Sequence, residues 1–301
     1  MDLLEQLQQL LPAASIVLEQ PMSKKTSFKI GGPADFFVSP QNEEQLCAVI
    51  RLCKDTNTPY YIMGNGSNLL VADKGIRGVV IQLFKQMAAV QVNGAVLDVQ
   101  AGALLSKIAT VALEHGLSGF EFASGIPGTL GGAVMMNAGA YGGEMKQVLV
   151  DATILDEQEQ VRTLSVDELE LAYRSSILSR KPYILLSARI QLLPGDVAAI
   201  KERLAYLTEQ RKTKQPLEFP SAGSAFKRPE GYFAGALIDE SGLRGFRMGG
   251  AQVSQKHCGF VINYDHASAA DVIQLMDYVA DVVQSKHGVQ LESEVKRIGE
   301  F

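Results

Sequence analysis

Ser124-Gly125-Ile126-Pro127-Gly128-Thr129-Leu130-Gly131-Gly132-Ala133, running on to Asn137-Ala138-Gly139-Ala140, is the stretch on which the reading of this chain turns. Glycine lets the backbone approach a ligand closely and take positive φ. Successive exposed N–H groups can then surround a pyrophosphate, and Thr129 adds a side-chain donor. A second loop of this kind, Gly64-Asn65-Gly66-Ser67-Asn68, follows the apolar run Tyr60–Met63. There Ser67 and Asn68 are the extra donors. One such loop reads best as a tight turn. Two, both rich in Gly, Ser, Asn and Thr, favour phosphate binding. Neither is a Rossmann fingerprint, because Gly64-Asn65-Gly66 lacks the third glycine and no helix clearly follows it. No GxxxxGK[ST] loop is present, so the sequence gives ATP hydrolysis no support.

Around these loops the chain alternates irregularly between helix and strand. A helix is expected over 41–58, ending before Pro59. Strands are expected at Tyr60–Met63 and 79–83, with the glycine loop between them. Residues 90–92 and 96–99 read as a hairpin around Asn93-Gly94. A helix over 104–115 stops at Gly116. Strands at Leu149–Leu155 and 184–192 bracket Tyr173-Arg174. Pro194-Gly195 marks a break before a polar helix at 196–211. A strand at Phe260–Asn263 and a helix at Ala269–His287, opened by Ser268 and Asp271, follow. The chain closes over 289–298, read as extended, which puts Glu292 and Glu294 on one strand face. This is an α+β pattern.

With 301 residues and 47% apolar composition, the chain can bury more than one core. A net charge of −5 argues against nonspecific nucleic-acid binding. The N-terminus is acidic and amphipathic, with Leu3, Leu4, Leu7, Leu10 and Leu11 at helical spacing, unlike a signal peptide. No window approaches the ~20 apolar residues of a membrane span. A cytoplasmic protein without membrane or nucleic-acid partners is expected, a monomer or weak oligomer. Cys47, Cys53 and Cys258 form no CxxC pair and read as reduced thiols. His115, His257, His266 and His287 lack zinc spacing, so no metal is expected.

The string Thr26-Ser27-Phe28-Lys29-Ile30-Gly31-Gly32-Pro33-Ala34 resembles the opening of the UDP-N-acetylenolpyruvoylglucosamine reductases, the MurB family. So do residues 64–69, 125–133 with Asn137-Ala138-Gly139-Ala140-Tyr141-Gly142, Tyr173-Arg174, Ala222-Gly223-Ser224-Ala225-Phe226-Lys227, and Leu291-Glu292-Ser293-Glu294-Val295. These matches stand in family order over almost the whole chain. Ser175-Ser176 is followed so quickly by Lys181-Pro182-Tyr183 that the longer loop of the first subtype, with its substrate-covering tyrosine, has no room. The chain therefore resembles type II.

The resemblance implies a two-subdomain FAD-binding fold like that of the vanillyl-alcohol oxidase (PCMH-type) family, plus a C-terminal α+β substrate domain. The expected parts are 1–83, joined by 291–301, and 84–195 for FAD, with 196–290 for substrate. The implied reaction reduces the enolpyruvyl ether of UDP-N-acetylglucosamine enolpyruvate, using NADPH and non-covalent FAD. The flavin-binding residues implied are Gly64, Asn65, Gly66, Ser67, Asn68, Ser124, Gly125, Ile126, Pro127, Gly128, Thr129, Gly131, Gly132, Asn137, Ala138 and Gly139. Ser224 matches the family's proton donor and Arg174 its carboxylate-binding arginine. Glu294 matches a second polarising group, with Glu292 as its near twin. Lys214 matches a family substrate-binding lysine, and Arg228, at a position that commonly differs between the subtypes, is a second candidate for UDP-phosphate or uridine contacts. Arg244, Arg247 and Lys256 extend the basic pocket or are solvated charges. The competing readings are another flavoenzyme of the same fold and a catalytically silent nucleotide-binding protein.

Overall fold

Alternating side chains build the main sheet of the chain's first unit. In strand Ile184–Gln191, Ala188 and Ile190 are buried while Arg189 and Gln191 face solvent. The computed structural model describes residues 2–301. It divides into two units: residues up to Val17, Phe37–Asn65 and Val79–Arg211 form the first, and Leu18–Phe36, Gly66–Gly78 and Lys212–Phe301 the second.

The five-stranded antiparallel sheet of the first unit runs in the order Val161–Ser165, Leu149–Leu155, Ile184–Gln191, Val96–Gln100, Val90–Asn93. The expected hairpin is present: Asn93 pairs with Val96, and Gly94 takes φ +63° at the turn. Helix Leu105–Glu114 buries Leu105, Ile108, Ala109 and Ala112, the i, i+3, i+4, i+7 stripe of an amphipathic helix. Gly116, at φ +61°, ends that helical stretch. Short helix Leu130–Met135 packs on strand Ile184–Gln191. Tyr60–Met63 lies parallel to 79–82 of the neighbouring strand, Tyr60 opposite Val79 and Met63 opposite Gln82. The helix expected at 196–211 runs Val197–Lys214. Only Ile200 and Leu207 are buried along it, which is why its pattern reads as polar.

The second unit holds a four-stranded antiparallel sheet in the order Ser221–Ser224, Phe260–Asn263, Ala251–Val253, Arg247–Met248. Helix Ala269–His287 lies on it and buries Val272, Leu275, Met276, Val279 and Val283. Ser268 and Asp271 form the expected capping box, and Gly288 closes the other end at φ +69°. Their core takes in Phe28, Ile30, Leu70, Phe226, Leu237, Val261 and Leu291. Strand Lys296–Ile298 adds in parallel to Leu69–Val71. The extended segment expected over 289–298 is therefore strand only at its end. Ser293 makes a single bridge to Phe226, after which the chain turns to a different partner.

Candidate active site

The two glycine stretches meet in the first unit. The Gln82 amide donates to the Gly64 carbonyl at 3.1 Å, and the Asn65 amide donates to the Pro127 carbonyl at 2.7 Å. A Cβ at Gly64 would stand 2.1 Å from Thr129 Oγ1, so only glycine allows this approach. The back of the longer loop is pinned: Leu105 N–H donates to Gly128 O, Leu130 N–H to Ala103 O, and Gly131 N–H to Ala101 O. Among the described residues, none of these hydrogen bonds uses the N–H of Gly125, Gly128 or Thr129. Thr129 is 2% exposed, and a buried unpaired N–H is costly unless a ligand satisfies it. Beside Gly132 there is open space where a side chain would be. Spare donors next to open space suit the pyrophosphate of FAD. Gly66, Ser67 and Asn68 belong to the second unit, so the shorter loop is shared out at Asn65.

Asn137 is 1% exposed at φ +41°. Its carbonyl accepts from Lys146 N–H at 2.9 Å, and its amide donates to Glu144 at 3.2 Å and to Ala172 O at 3.3 Å. Its side chain is thus occupied with the chain's own groups. Ala172 and Ser175 exchange both backbone hydrogen bonds, at 3.0 and 3.1 Å, and close a two-residue turn with Tyr173 and Arg174 at the tip. Arg174 is half-buried at φ +52°, its guanidinium 4.9 Å from the Tyr173 ring centre. Tyr141 and Tyr173 are both exposed, so neither fills core.

Arg211 was not singled out by sequence, yet it lies against the longer loop. Its Cδ stands 3.1 Å from where a Gly125 Cβ would be. Burial lowers the guanidinium pKa from the usual arginine value, and the Tyr141 phenol acts in the opposite direction. Its spacing from Lys214, three residues on the same helix, was the available signal.

In the second unit, Ser224 ends strand Ser221–Ser224, where the pairing with Phe260–Asn263 shifts register. Such a bulge re-aims side chains. Gly223 before it takes φ +80°. Glu294 N–H donates to Ala225 O at 2.9 Å, so Ser224 and Glu294 stand on adjoining backbone. The Asn68 amide donates to Glu294 O at 3.1 Å. Ser27, another residue sequence did not single out, donates to Ser221 O at 2.7 Å and lies 3.3 Å from Ser67 O, tying the shorter loop to the Ser224 strand. Glu292 and Glu294 differ in setting despite their two-residue spacing. Glu292 is solvent-exposed and paired with Lys227 at 2.9 Å, whereas Glu294 is half-buried.

Arg228 is exposed, 4.0 Å from the Phe233 ring centre, with Nε donating to Tyr232 O. Lys214, exposed, ends its helix. The further basic residues are engaged locally: Arg244 with Asp239 and Gln255 O, Arg247 over Tyr264 at 3.6 Å, Lys256 with Lys212 O. This favours the solvated-charge reading for those three. Burial pushes the Cys53 and Cys258 thiols up to about 11, which makes them poor nucleophiles at neutral pH. Among the described residues no His, Cys, Asp or Glu group could hold a metal, and no helix is long and apolar enough to cross a membrane.

Loops with spare backbone donors on an α+β frame suit a nucleotide-binding enzyme, and the match to the FAD binding domain makes it a flavoprotein. The family model of the FAD binding domain matches residues 34–165, and that of the UDP-N-acetylenolpyruvoylglucosamine reductase C-terminal domain matches 215–298. A UDP-N-acetylenolpyruvoylglucosamine reductase of Clostridium perfringens is 51% identical over 284 residues, 94% of this chain and 93% of that protein. The crystal structure of the Thermus caldophilus reductase (MurB) superposes with a TM-score of 0.80 at 36% identity, over 94% of this chain and 97% of the other. The berberine bridge enzyme of Eschscholzia californica shares the fold alone, with a TM-score of 0.50 at 16% identity over 65% of this chain and 44% of its own. The chain belongs to the UDP-N-acetylenolpyruvoylglucosamine reductase family.

Proposed function

We infer that this chain reduces UDP-N-acetylglucosamine enolpyruvate to UDP-N-acetylmuramate with NADPH, in peptidoglycan precursor synthesis. The observation that carries the reading, beside family membership, is the Ser224–Glu294 arrangement on adjoining backbone. Bound FAD supplies hydride uptake from NADPH and hydride delivery to the enolpyruvyl methylene carbon. The protein supplies the rest. The N–H groups of Gly125, Gly128 and Thr129 hold the pyrophosphate, with Arg211 as a cation beside them. Arg174 holds the substrate carboxylate, where negative charge grows as hydride arrives. Ser224 Oγ gives its proton to the neighbouring carbon, a strongly basic acceptor at that moment. Glu294 polarises the same carboxyl end. Lys214 and Arg228 take the diphosphate and uridine.

In this reading residues 1–83 with 291–301, and 84–195, serve FAD, and 196–290 serve substrate. The protein works in the cytoplasm, as a monomer or weak oligomer, without nucleic acid or membrane.

The test is a visible absorption spectrum of purified protein, taken before and after anaerobic NADPH and again after adding the enolpyruvyl substrate. Bleaching followed by recovery is expected. Bleaching without recovery would assign a different acceptor. Absence of any flavin band after incubation with FAD would overturn the reading.

A further inference from the structure

We infer that Asn137 and Ser176 are positioning residues that fix the aim of Arg174 by bonding its turn to the second glycine stretch. The inference rests on the reading of Arg174 as the carboxylate holder. The tip of the turn is free of regular structure, but its stem is fixed at both ends. On one side the Asn137 amide donates to Ala172 O. On the other, Ser176 Oγ, fully buried, donates to Met135 O at 2.9 Å, and Ser179 N–H donates to the Ser176 backbone carbonyl at 3.1 Å. Met135 and Asn137 flank one residue, so both clamps come from the same short piece of backbone that leads out of the glycine loop. The Ala172–Ser175 pair closes the turn between them.

Backbone conformation points the same way. Asn137, Tyr141 and Arg174 all hold positive φ, at 41°, 53° and 52°. Each such non-glycine residue costs on the order of 1 kcal/mol and persists only when its surroundings over-determine it. Asparagine is enriched in that region among non-glycine residues, and its side chain here both donates to Ala172 O and accepts from Lys146 N–H. A guanidinium binds a carboxylate through two parallel hydrogen bonds, which demands a fixed direction. A displacement of about 1 Å at such a group costs about 100-fold in rate. The cluster thus converts the shape of the glycine stretch into the direction of Arg174.

The experiment is a double-mutant cycle on the full-length, FAD-loaded protein. Ser176→Ala removes the donor to Met135 O. Asn137→Asp keeps the acceptor for Lys146 N–H and loses the donor to Ala172 O. Each is made alone and with Arg174→Ala. Stopped-flow reoxidation of the reduced flavin by the enolpyruvyl substrate is measured against substrate concentration, together with thermal unfolding. Ser176→Ala alone is expected to raise the substrate concentration for half-maximal reoxidation by about 10- to 100-fold. In the Arg174→Ala background it should change reoxidation by less than about twofold, because the group it aims is gone. Losses that multiply in that background would show independent action and overturn the inference. So would a lowered unfolding temperature with reoxidation unchanged. If Asn137→Asp does not fold, Ser176→Ala alone decides the cycle. Arg174→Ala reoxidising as fast as the parent would refute the reading of Arg174, and the inference with it.

Discussion

Gly64→Ala tests whether the two glycine stretches must touch for flavin to bind. The added Cβ would stand 2.1 Å from Thr129 Oγ1 and 3.2 Å from Thr129 Cβ and Cγ2. Ordinary contact begins near 3.4 Å, so Oγ1 has to move by about 1.3 Å, the difference 3.4 − 2.1. Rotation about χ1 is a poor escape, since β-branched side chains have few open rotamers and Cγ2 already lies close. Backbone movement is also resisted. Thr129 is buried and bridges Leu104, and its neighbours Gly128 and Leu130 are bonded to Leu105 and Ala103. Overpacking of this kind costs about 1–3 kcal/mol. Where that cost appears depends on the flavin-free state. Gly64, Asn65 and Gly125 are only half-buried, so without FAD the loops can part and relieve the clash. The cost then falls on binding, and weakens FAD affinity by about 5- to 150-fold at 1.4 kcal/mol per factor of ten. Fluorescence titration of flavin-free protein with FAD measures it. Thermal unfolding with and without saturating FAD shows how much of the cost is already present before binding. An unchanged FAD affinity together with an unchanged unfolding temperature would refute the argument that Gly64 is set by contact with Thr129.

Gly132→Ala should behave in the opposite way. Its Cβ meets nothing within 4 Å, and alanine stabilises a helical position by about 0.5–1 kcal/mol over glycine, so the flavin-free protein should unfold at a higher temperature while FAD binds more weakly in the same titration. Ser224→Ala should still be bleached by NADPH but reoxidise about 100- to 10,000-fold more slowly with substrate in stopped flow; equal loss of both half-reactions would remove Ser224 as proton donor. Asp271 gives a pH prediction. The Ser268 backbone N–H, then that of Gly250, hold its carboxylate below the usual range. A depressed pKa means stabilisation that is present above the ordinary aspartate value and lost as pH falls through the folded one. Asp271→Asn should therefore cost about 1 kcal/mol near neutral pH, and the gap to the parent should shrink on acidification below about pH 4. Unfolding temperatures from pH 7 down to pH 3 measure it, and a gap constant with pH would contradict the assignment.

The elements legible in the sequence are those whose stop signals are local. Helix Ala269–His287 was readable to its ends because Ser268, Asp271 and Gly288 are themselves the caps. The Asn93-Gly94 hairpin was readable because the turn residues dictate the register. Strand Leu69–Val71 was not, since its partner Lys296–Ile298 lies more than two hundred residues away and three residues carry no period. The closing segment misled for a different reason. It looks uniformly extended from 289 to 298, but its partners change along the way. Glu292 O accepts from Lys227 N–H and Glu294 N–H donates to Ala225 O, after which Lys296 N–H donates to Asn68 O. A chain that changes partner within four residues cannot keep a ladder. That change also separates Glu292, exposed beside Lys227, from Glu294, half-buried.

The asparagines of the glycine stretches explain what composition alone could and could not tell. Asn65, Asn68 and Asn137 were all expected among the flavin contacts, Asn68 as a side-chain donor. In the folded chain each amide donates instead to a carbonyl of the chain itself: Pro127, Glu294 and Ala172. A carboxylate of the same size would repel those carbonyls, and a hydroxyl would not reach as far. These amide hydrogen bonds hold the loops in shape, and the backbone bonds of the longer loop leave the N–H groups of Gly125, Gly128 and Thr129 unused. In the proposed function a dinucleotide is gripped by backbone, whose direction is fixed, more than by side chains, whose rotamer entropy would have to be lost on binding. Sequence marks such a site by the residues that shape it; the donors themselves belong to the backbone and have no letter.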